Sequence, residues 1–309
     1  MTDAPKAPFR VIDFSQVMAG PFCTRLLADV GAEVIKVEPE GGESMRGRPP
    51  VRDGASSYFG ALNAGKRSVT LDLKSEEGLA RARALIASAD VVVENFRPGV
   101  MARLGLGWDR LSELNPRLVY CAISGFGQSG AAATRPAYAP MIHAASGFDL
   151  TLMGFDPPAN RPAPTGMFFA DVLAGVFAWG AIQAALLERE RSGLGQLVDV
   201  ALMDCIATAV GRQTHWAEMM VEIEAWTRSR SGDDCVAALM AAGVPTSRYR
   251  TVAEALTSDE ARERGILAPV IDASGEFKVP NPPFKFSRSR AHVGNRVPEV
   301  GEGNDEFFG

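Results

Sequence analysis

An α/β fold built on a mostly parallel sheet is predicted for this 309-residue chain by three observations. Short apolar runs alternate with helical patterns through the N-terminal part of the sequence. The connections between them carry cap and turn residues where a strand would hand over to a helix. One long apolar segment follows that only a helix would fill. Strands that alternate with helices pair in parallel, because each crossover returns the chain to the same end of the sheet. The length exceeds what one compact unit usually takes, so a second, smaller domain is expected.

The first strand is Arg10 to Phe14 (RVIDF). A loop, Ser15 to Pro21, leads into a helix whose first turn suits Pro21 and which Gly31 stops after Val30. Glu33 to Val37 is a second strand and completes a βαβ unit. Ser68 to Leu73 alternates as a strand does. Ser75 is set to cap the next helix at Gly78, and Leu79, Ala82, Leu85, Ile86 and Ala89 mark one face of that helix. Asp90 to Val93 and Leu118 to Ile123 are two further buried strands. Gly125 to Gly130 (GFGQSG) is a loop, and Phe155 to Pro164 is rich in proline. A long helix covers Asp171 to Arg191 and ends at Ser192-Gly193-Leu194-Gly195. Gln196 to Val200 reads as a strand and Leu202 to about Met220 as a helix. Charged helical segments run from Val221 to about Pro269, and short extended runs from Val270 to Phe286. The tail, Gly301 to Gly309, is rich in glycine and acid.

Composition narrows the function. The net charge is -5, with 46% hydrophobic and 22% charged residues, which is ordinary globular usage. No dense Lys/Arg stripe interleaved with aromatics is present, so no nucleic-acid partner is expected. Met1 to Pro8 is polar and lacks an apolar signal core. The richest apolar stretch, Met167 to Leu187, is interrupted by Asp171 and runs into Glu188, Arg189 and Glu190. It reads as a buried helix rather than a membrane span. Cys23, Cys121, Cys205 and Cys235 are far apart, with no CxxC pair and no histidine at ligand spacing. Free thiols of a reducing cytoplasm, and no metal site, are the expectation. His143, His215 and His292 form no HxxxH or HExxH pattern, and His143 reads as a satisfied core or surface histidine.

Neither GxGxxG after a strand nor GxxxxGK[ST] occurs, so dinucleotide and Walker-type phosphate loops have no support. The GFGQSG loop follows a strand at the sheet edge where open α/β folds bind ligands. Its Gly125 and Gly127 would let backbone amides approach a ligand, and a plain turn is the other reading. Asp171 opens the most apolar helix in the chain. There the helix dipole favours its charge while apolar surroundings desolvate it, which is the setting of a nucleophilic carboxylate. An ordinary N-cap aspartate is the alternative.

Four segments together resemble the class III CoA-transferases, the CaiB/BaiF family that includes formyl-CoA transferase and the α-methylacyl-CoA racemases. They are VIDFSQVMAGPFCTRLLADVGAEVIKVE, YFGALNAGKRSVTLDL, ADVVVENFRPGVMARLGLGWDRLSELNPRLVYCAISGFGQSG and FADVLAGVFAWGAIQAALLERERSGLGQLVDVALMD. The resemblance implies a Rossmann-like sheet flanked by helices in a large CoA-binding domain, residues 1–220. It further implies a reduced small domain at 221–275, and a C-terminal return to the large domain at 276–309. The catalytic aspartate falls on Asp171, with Tyr138 beside it to hydrogen-bond an intermediate's oxygen. Coenzyme A is implied as a substrate rather than a resident cofactor. Gln16, Met18, Ala19, Lys66, Arg67, Asn95, Phe96, Arg97, Arg103, Gly125 and Gly127 fall on the segments that line its site.

Met18 stands where formyl-CoA transferases carry a glutamine, which argues against formate or oxalate. The racemase histidine of a His-Asp pair is absent from Ala137-Tyr138-Ala139-Pro140. The implied reaction is transfer of CoA between an acyl-CoA and a small carboxylic acid, through covalent intermediates on Asp171. The alternatives are a non-catalytic (acyl-)CoA-binding homologue and, third, an acyl-CoA racemase. A homodimer, interlocked in relatives, and a cytoplasmic location are the remaining expectations. The short link between about Gly211 and Val221 implies a more open site than relatives have.

Overall fold

The computed structural model describes residues 9–153, 161–162, 166–209, 224–247, 249–286, 288–289 and 291–309. Six parallel strands form the main sheet: β1 (Arg10–Asp13), β2 (Glu33–Glu38), β5 (Arg67–Thr70), β6 (Val91–Glu94), β7 (Val119–Ser124) and β8 (Leu197–Ala201). Between β2 and β5 lies the short ribbon β3 (Val51–Arg52) and β4 (Ala55–Ser56). The order across the main sheet is β5-β2-β1-β6-β7-β8. Val11 is flanked by Val34 on one side and Val91 on the other. The chain builds outward from β1 in one direction and then, from β6, in the other. The loops after β1 and β6 therefore meet at the switch point where such sheets bind ligands.

Both faces of the sheet are covered. On one face pack α1 (Ala19–Asp29), α6 (Ala139–Ala145), α8 (Phe169–Ser192) and α9 (Leu202–Ala207), around Cys23, Leu27, Val119, Ile142 and Ile182. On the other lie α3 (Glu76–Ala87), α4 (Val100–Arg103) and α5 (Trp108–Leu114), around Ile12, Ile35, Ile86, Leu106 and Leu111. Helices α2 (Ser57–Asn63) and α7 (Phe148–Met153) complete this part. The Ser75 hydroxyl does cap α3, accepting from the Gly78 N–H at 3.0 Å. The Gly193–Gly195 turn ends α8 for a steric reason. Gly193 is left-handed at φ +76, and a Cβ on Gly195 would meet the Leu118 carbonyl oxygen at 1.9 Å.

Helix α8 is long and apolar enough to cross a membrane by length and composition alone. One of its faces is core: Ala174, Ala178, Ile182 and Ala185 are buried, and Arg189 pairs with Asp90 at 2.9 Å. The expectation of a buried helix holds for that face only. Val176 and Phe177, on the other, are 42% and 46% exposed.

Beyond Ala209 the expected continuation of a helix to Met220, and the link at Gly211 to Val221, lie outside the described residues. The chain then forms α10 (Gly232–Ala241), α11 (Val252–Leu256) and α12 (Asp259–Arg264). Their N-caps are Ser231, Thr251 and Ser258, with a full capping box between Thr251 and Glu254. An antiparallel hairpin, β9 (Leu267–Asp272) and β10 (Gly275–Pro280), packs its Val270 and Val279 on Phe59 and Ala64 of the large unit. The expected boundary at 275/276 falls at the start of β10. The tail, read from the sequence as rich in glycine and acid, forms a short helix, α13 (Asn304–Phe308), beside β5. Asn304 accepts from the Thr70 N–H at 2.9 Å, completing the edge strand.

Candidate active site

Strand β1 ends in a buried carboxylate. Asp13 accepts from the Ser15 N–H and hydroxyl, from the Thr24 hydroxyl at 2.6 Å and from Lys66 Nζ at 3.0 Å. Burial alone would raise its pKa. The charges of Lys66 and Lys36 and the Ser15 and Thr24 hydrogen bonds outweigh that and bring it to about 2. Lys66 also donates to the Pro21 carbonyl at 3.0 Å and Asn63 Oδ1 at 2.8 Å. All three of its protons are used inside the protein, and burial lowers its pKa to about 8 against the pull of Asp13.

The loop after β1 is fixed residue by residue. Asn95, from the loop after β6, clasps Gln16: its Oδ1 accepts from the Gln16 N–H at 2.8 Å and its Nδ2 donates to the Gln16 carbonyl at 2.7 Å. Val17 is left-handed at φ +68, an uncommon place for a β-branched residue, which costs about 1–3 kcal/mol. Met18 then precedes the first residue of α1, Ala19.

Asp171 lies where three helices begin. It is the third residue of α8, whose N-cap is Phe168, so it is not itself the cap. Its carboxylate accepts hydrogen bonds from the N–H of Ala19, the first residue of α1, and of Ala139, the first residue of α6. Burial nevertheless dominates and pushes its pKa up to about 6, while those two N–H donors pull it down. The group is thus ionised at neutral pH, weakly hydrated, and faced by donors that can stabilise charge on its oxygens.

Neighbours that the sequence did not assign to the site complete this corner. The Arg48 guanidinium lies over the Tyr58 ring at 5.2 Å and the Phe168 ring at 5.9 Å, and Asp171 acts electrostatically on Tyr58. His143 is buried, and its Nε2 accepts from the Ala170 N–H at 3.2 Å, just before Asp171. It braces the start of α8, with Phe148 packed on it at 5.0 Å.

Of the expected binding residues, the structure brings some together and separates others. Gln16, Asn95 and Phe96 gather at the switch point, beside a cavity of about 590 Å³ that Phe14, Gln16, Leu71, Phe96, Val100 and Leu104 line. Arg97 and Arg103 are exposed nearby, Arg103 lying against Gly99. Beneath Phe96, Glu94 accepts from its N–H at 2.8 Å, and burial raises the Glu94 pKa to about 7. Met18 and Ala19 stand on the Asp171 side, where Met18, Phe22 and Val172 line a second cavity of about 550 Å³ that reaches Pro280 to Lys285. Gly125 and Gly127 lie in the loop after β7. Gly125 has no room for a Cβ beside Ala137, and Gly127 is left-handed at φ +84. Tyr138, at the mouth of α6, is 61% exposed.

Two expectations need correction. Lys66 is not a ligand-facing cation, because Asp13, Asn63 and Pro21 consume its protons in the interior. Arg67 is directed away from the site: it pairs with Glu306 and, at 3.5 Å, with Glu33 at the opposite end of β2. Among the described residues no cluster of His, Cys, Asp and Glu could hold a metal ion.

Comparisons with known proteins point to one family. A family model described as "CoA-transferase family III" matches residues 7–216 and 206–304. The succinate–glutarate CoA-transferase of Agrobacterium fabrum is 43% identical over 226 residues, covering 69% of this chain and 56% of that protein. The acetyl-CoA:oxalate CoA-transferase of Acetobacter aceti is 43% identical over 204 residues, 65% of this chain and 52% of that one. The chain thus spans about half the length of these curated relatives. The succinyl-CoA–D-citramalate CoA-transferase of Chloroflexus aurantiacus aligns at 31% identity over 98% of this chain and 93% of its own. Among solved structures, a CAIB/BAIF family protein from Brucella suis matches with a TM-score of 0.84 at 28% identity, over 98% of both chains.

Proposed function

The chain belongs to CoA-transferase family III, and from that premise we propose that it transfers coenzyme A from an acyl-CoA to a carboxylic acid through Asp171. The observation that carries the reading is the Asp171 carboxylate, with a pKa near 6, held between the Ala19 and Ala139 N–H groups. An Asp171 oxygen attacks the thioester carbon, the C–S bond breaks, and CoA leaves as thiolate with an acyl-aspartyl anhydride left behind. The thiolate then attacks the Asp171 carbonyl carbon, and the C–O bond breaks to release the first acid. Asp171 now holds CoA as a thioester. An incoming carboxylate attacks that carbon and frees the thiolate, which attacks the acyl carbon and returns the Asp171 carboxylate. No net proton is exchanged.

The two N–H donors support this role because charge develops on Asp171's own carbonyl oxygen whenever that carbon is attacked. CoA is assigned to the switch-point cavity beside Gln16, Asn95 and Phe96, with Arg97 and Arg103 for its phosphates, and the acyl end directed to Asp171. Tyr138 at the rim is assigned to the intermediate's oxygen. The exposed apolar face of α8 at Val176 and Phe177, and the cavity between α1 and Pro280–Lys285, support a homodimer in which partner residues cover them. Four buried free thiols fit a reducing compartment.

The share of relatives that the chain spans supports one other reading, a CoA-binding homologue without turnover. The experiment that separates them is incubation with a panel of acyl-CoAs, trapping with hydroxylamine or borohydride, and peptide mass spectrometry. A mark on Asp171 supports transfer. Tight CoA binding without any mark supports the second reading.

A further inference from the structure

We propose that Glu43 and Lys36 are positioning residues for Asp171, acting through the backbone of Val17; the proposal rests on the transferase reading above. Glu43 Oε1 accepts from the Val17 N–H at 2.8 Å. Its other oxygen is 2.6 Å from Lys36 Nζ, and both side chains are almost wholly buried. Lys36 Nζ in turn donates to the Ser15 carbonyl at 2.9 Å. The pair therefore grips the loop at Ser15 and at Val17, one residue apart on either side of Gln16.

Glu43 is itself anchored. Its N–H donates to Glu38 Oε2 at 2.9 Å, and Glu38 is held by Arg46 at 2.6 Å and by the Ser68 hydroxyl at 2.7 Å. With Asp13 and Lys66 alongside, the buried cluster has three carboxylates and three cations, so charge is balanced only while all six are present.

Two observations show that the loop needs this grip. Val17 sits at φ +68, where a glycine would rest without strain but a β-branched side chain is held only by its surroundings. Met18 is the N-cap of α1 and makes no side-chain cap bond, so no capping group fixes the helix start. The direction of the Ala19 N–H, two residues after Val17, is therefore set by the loop conformation. That N–H is one of the two donors to Asp171. The clamp thus transmits the rigidity of a buried ion cluster to the reacting carboxylate without touching substrate.

The test compares wild type, Glu43→Gln and Glu43→Gln/Val17→Gly by steady-state transfer and by amide hydrogen exchange over residues 15–20. Glu43→Gln is expected to lower kcat roughly tenfold, with the acyl-CoA KM within about twofold, and to speed exchange in that segment. Val17→Gly in that background is expected to recover most of the lost kcat, since glycine adopts the left-handed conformation without the strain that the clamp offsets for valine. Unchanged kcat and exchange in Glu43→Gln, or no recovery by Val17→Gly, would overturn the clamp. Should Glu43→Gln fail to fold, Glu43→Asp, which keeps the charge but withdraws it from Val17, carries the same comparison. If wild type never labels Asp171, the transferase reading fails, and the exchange data alone still decide the clamp.

Discussion

Gly175 lies against Ala19: a Cβ built on Gly175 would stand 2.9 Å from the Ala19 carbonyl oxygen. Gly175 is one helical turn beyond Asp171, on the same side of α8, so this contact sets how closely α1 approaches the carboxylate. The Phe22 ring, at the same 2.9 Å, could swing away, but the backbone oxygen could not. Gly175→Ala is expected to push α1 outward and lengthen the Ala19 hydrogen bond to Asp171. We expect about 1–3 kcal/mol of lost stability in urea unfolding, from overpacking. We also expect a fall in kcat of roughly tenfold, since sub-ångström misplacement at a reacting group is costly.

Asp171→Asn separates chemistry from stability. Transfer is expected to fall at least about a thousandfold, because an amide cannot form the anhydride. In wild type the rate is expected to rise with pH through about 6, as the nucleophile ionises. Stability runs the other way. The folded pKa lies above the unfolded one, so the folded state holds the proton longer, and stability is lost as pH rises from about 4 to about 6. The Asn variant avoids that loss. It is expected to melt higher than wild type at pH 7 to 8, with about 3 kcal/mol more stability, the gain vanishing near pH 4. Equal melting temperatures at both pH values would contradict the raised pKa.

The sheet was legible because its strands are buried on both faces and read as apolar runs, as in Val91 to Val93. Asp171 drew notice because a carboxylate interrupts the most apolar helix, but the residues alone left an ordinary N-cap open, and its assignment as the nucleophile came from the family resemblance. Its immediate donors were not legible, since the Ala19 and Ala139 N–H groups belong to residues with no chemical signature and are brought there by the packing of α1 and α6. Arg48 and Tyr58 were missed for a related reason. Arg48 lies just before the β3–β4 ribbon and Tyr58 just after it, in the first turn of α2, and only the tertiary fold sets them near Phe168 and Asp171. Lys66 was placed at the CoA site by the resemblance, and a matching segment cannot tell a buried lysine from one that faces a ligand. The partner that buries it, Asp13, is distant in sequence.

Lys66→Met tests that correction. Removing the cation leaves Asp13 in the interior with Lys36 as the remaining cation acting on it. A buried carboxylate stripped of a partner costs about 3–5 kcal/mol. We expect a large loss of stability in urea unfolding at pH 7. Protonation of Asp13 relieves the cost, so the deficit against wild type should shrink as pH falls toward 4. Binding of CoA to the folded variant should change little. A CoA affinity lost in proportion to charge, with stability intact, would restore Lys66 to the binding site.

The cations assigned to CoA make the opposite prediction. Arg97 and Arg103 are exposed, so reversing their charge disturbs no buried partner. Arg97→Glu and Arg103→Glu are each expected to leave the melting temperature nearly unchanged and to raise the dissociation constant for CoA about tenfold, through the lost attraction to its phosphates and the added repulsion. The effect should weaken with added salt, because exposed charges are screened. Arg67→Ala is the matched control. Its guanidinium is bound to Glu306 and Glu33, away from the switch point, and lies over the Phe307 ring at 4.8 Å. It is expected to loosen α13 and lower stability by about 1 kcal/mol while CoA affinity holds. Isothermal titration with CoA at two salt concentrations reads all three variants. A salt-sensitive loss in Arg67→Ala, with Arg97→Glu and Arg103→Glu unaffected, would place the phosphates on the other side of the sheet edge, beside Asn295 and Arg296, which line a polar cavity there with Arg67.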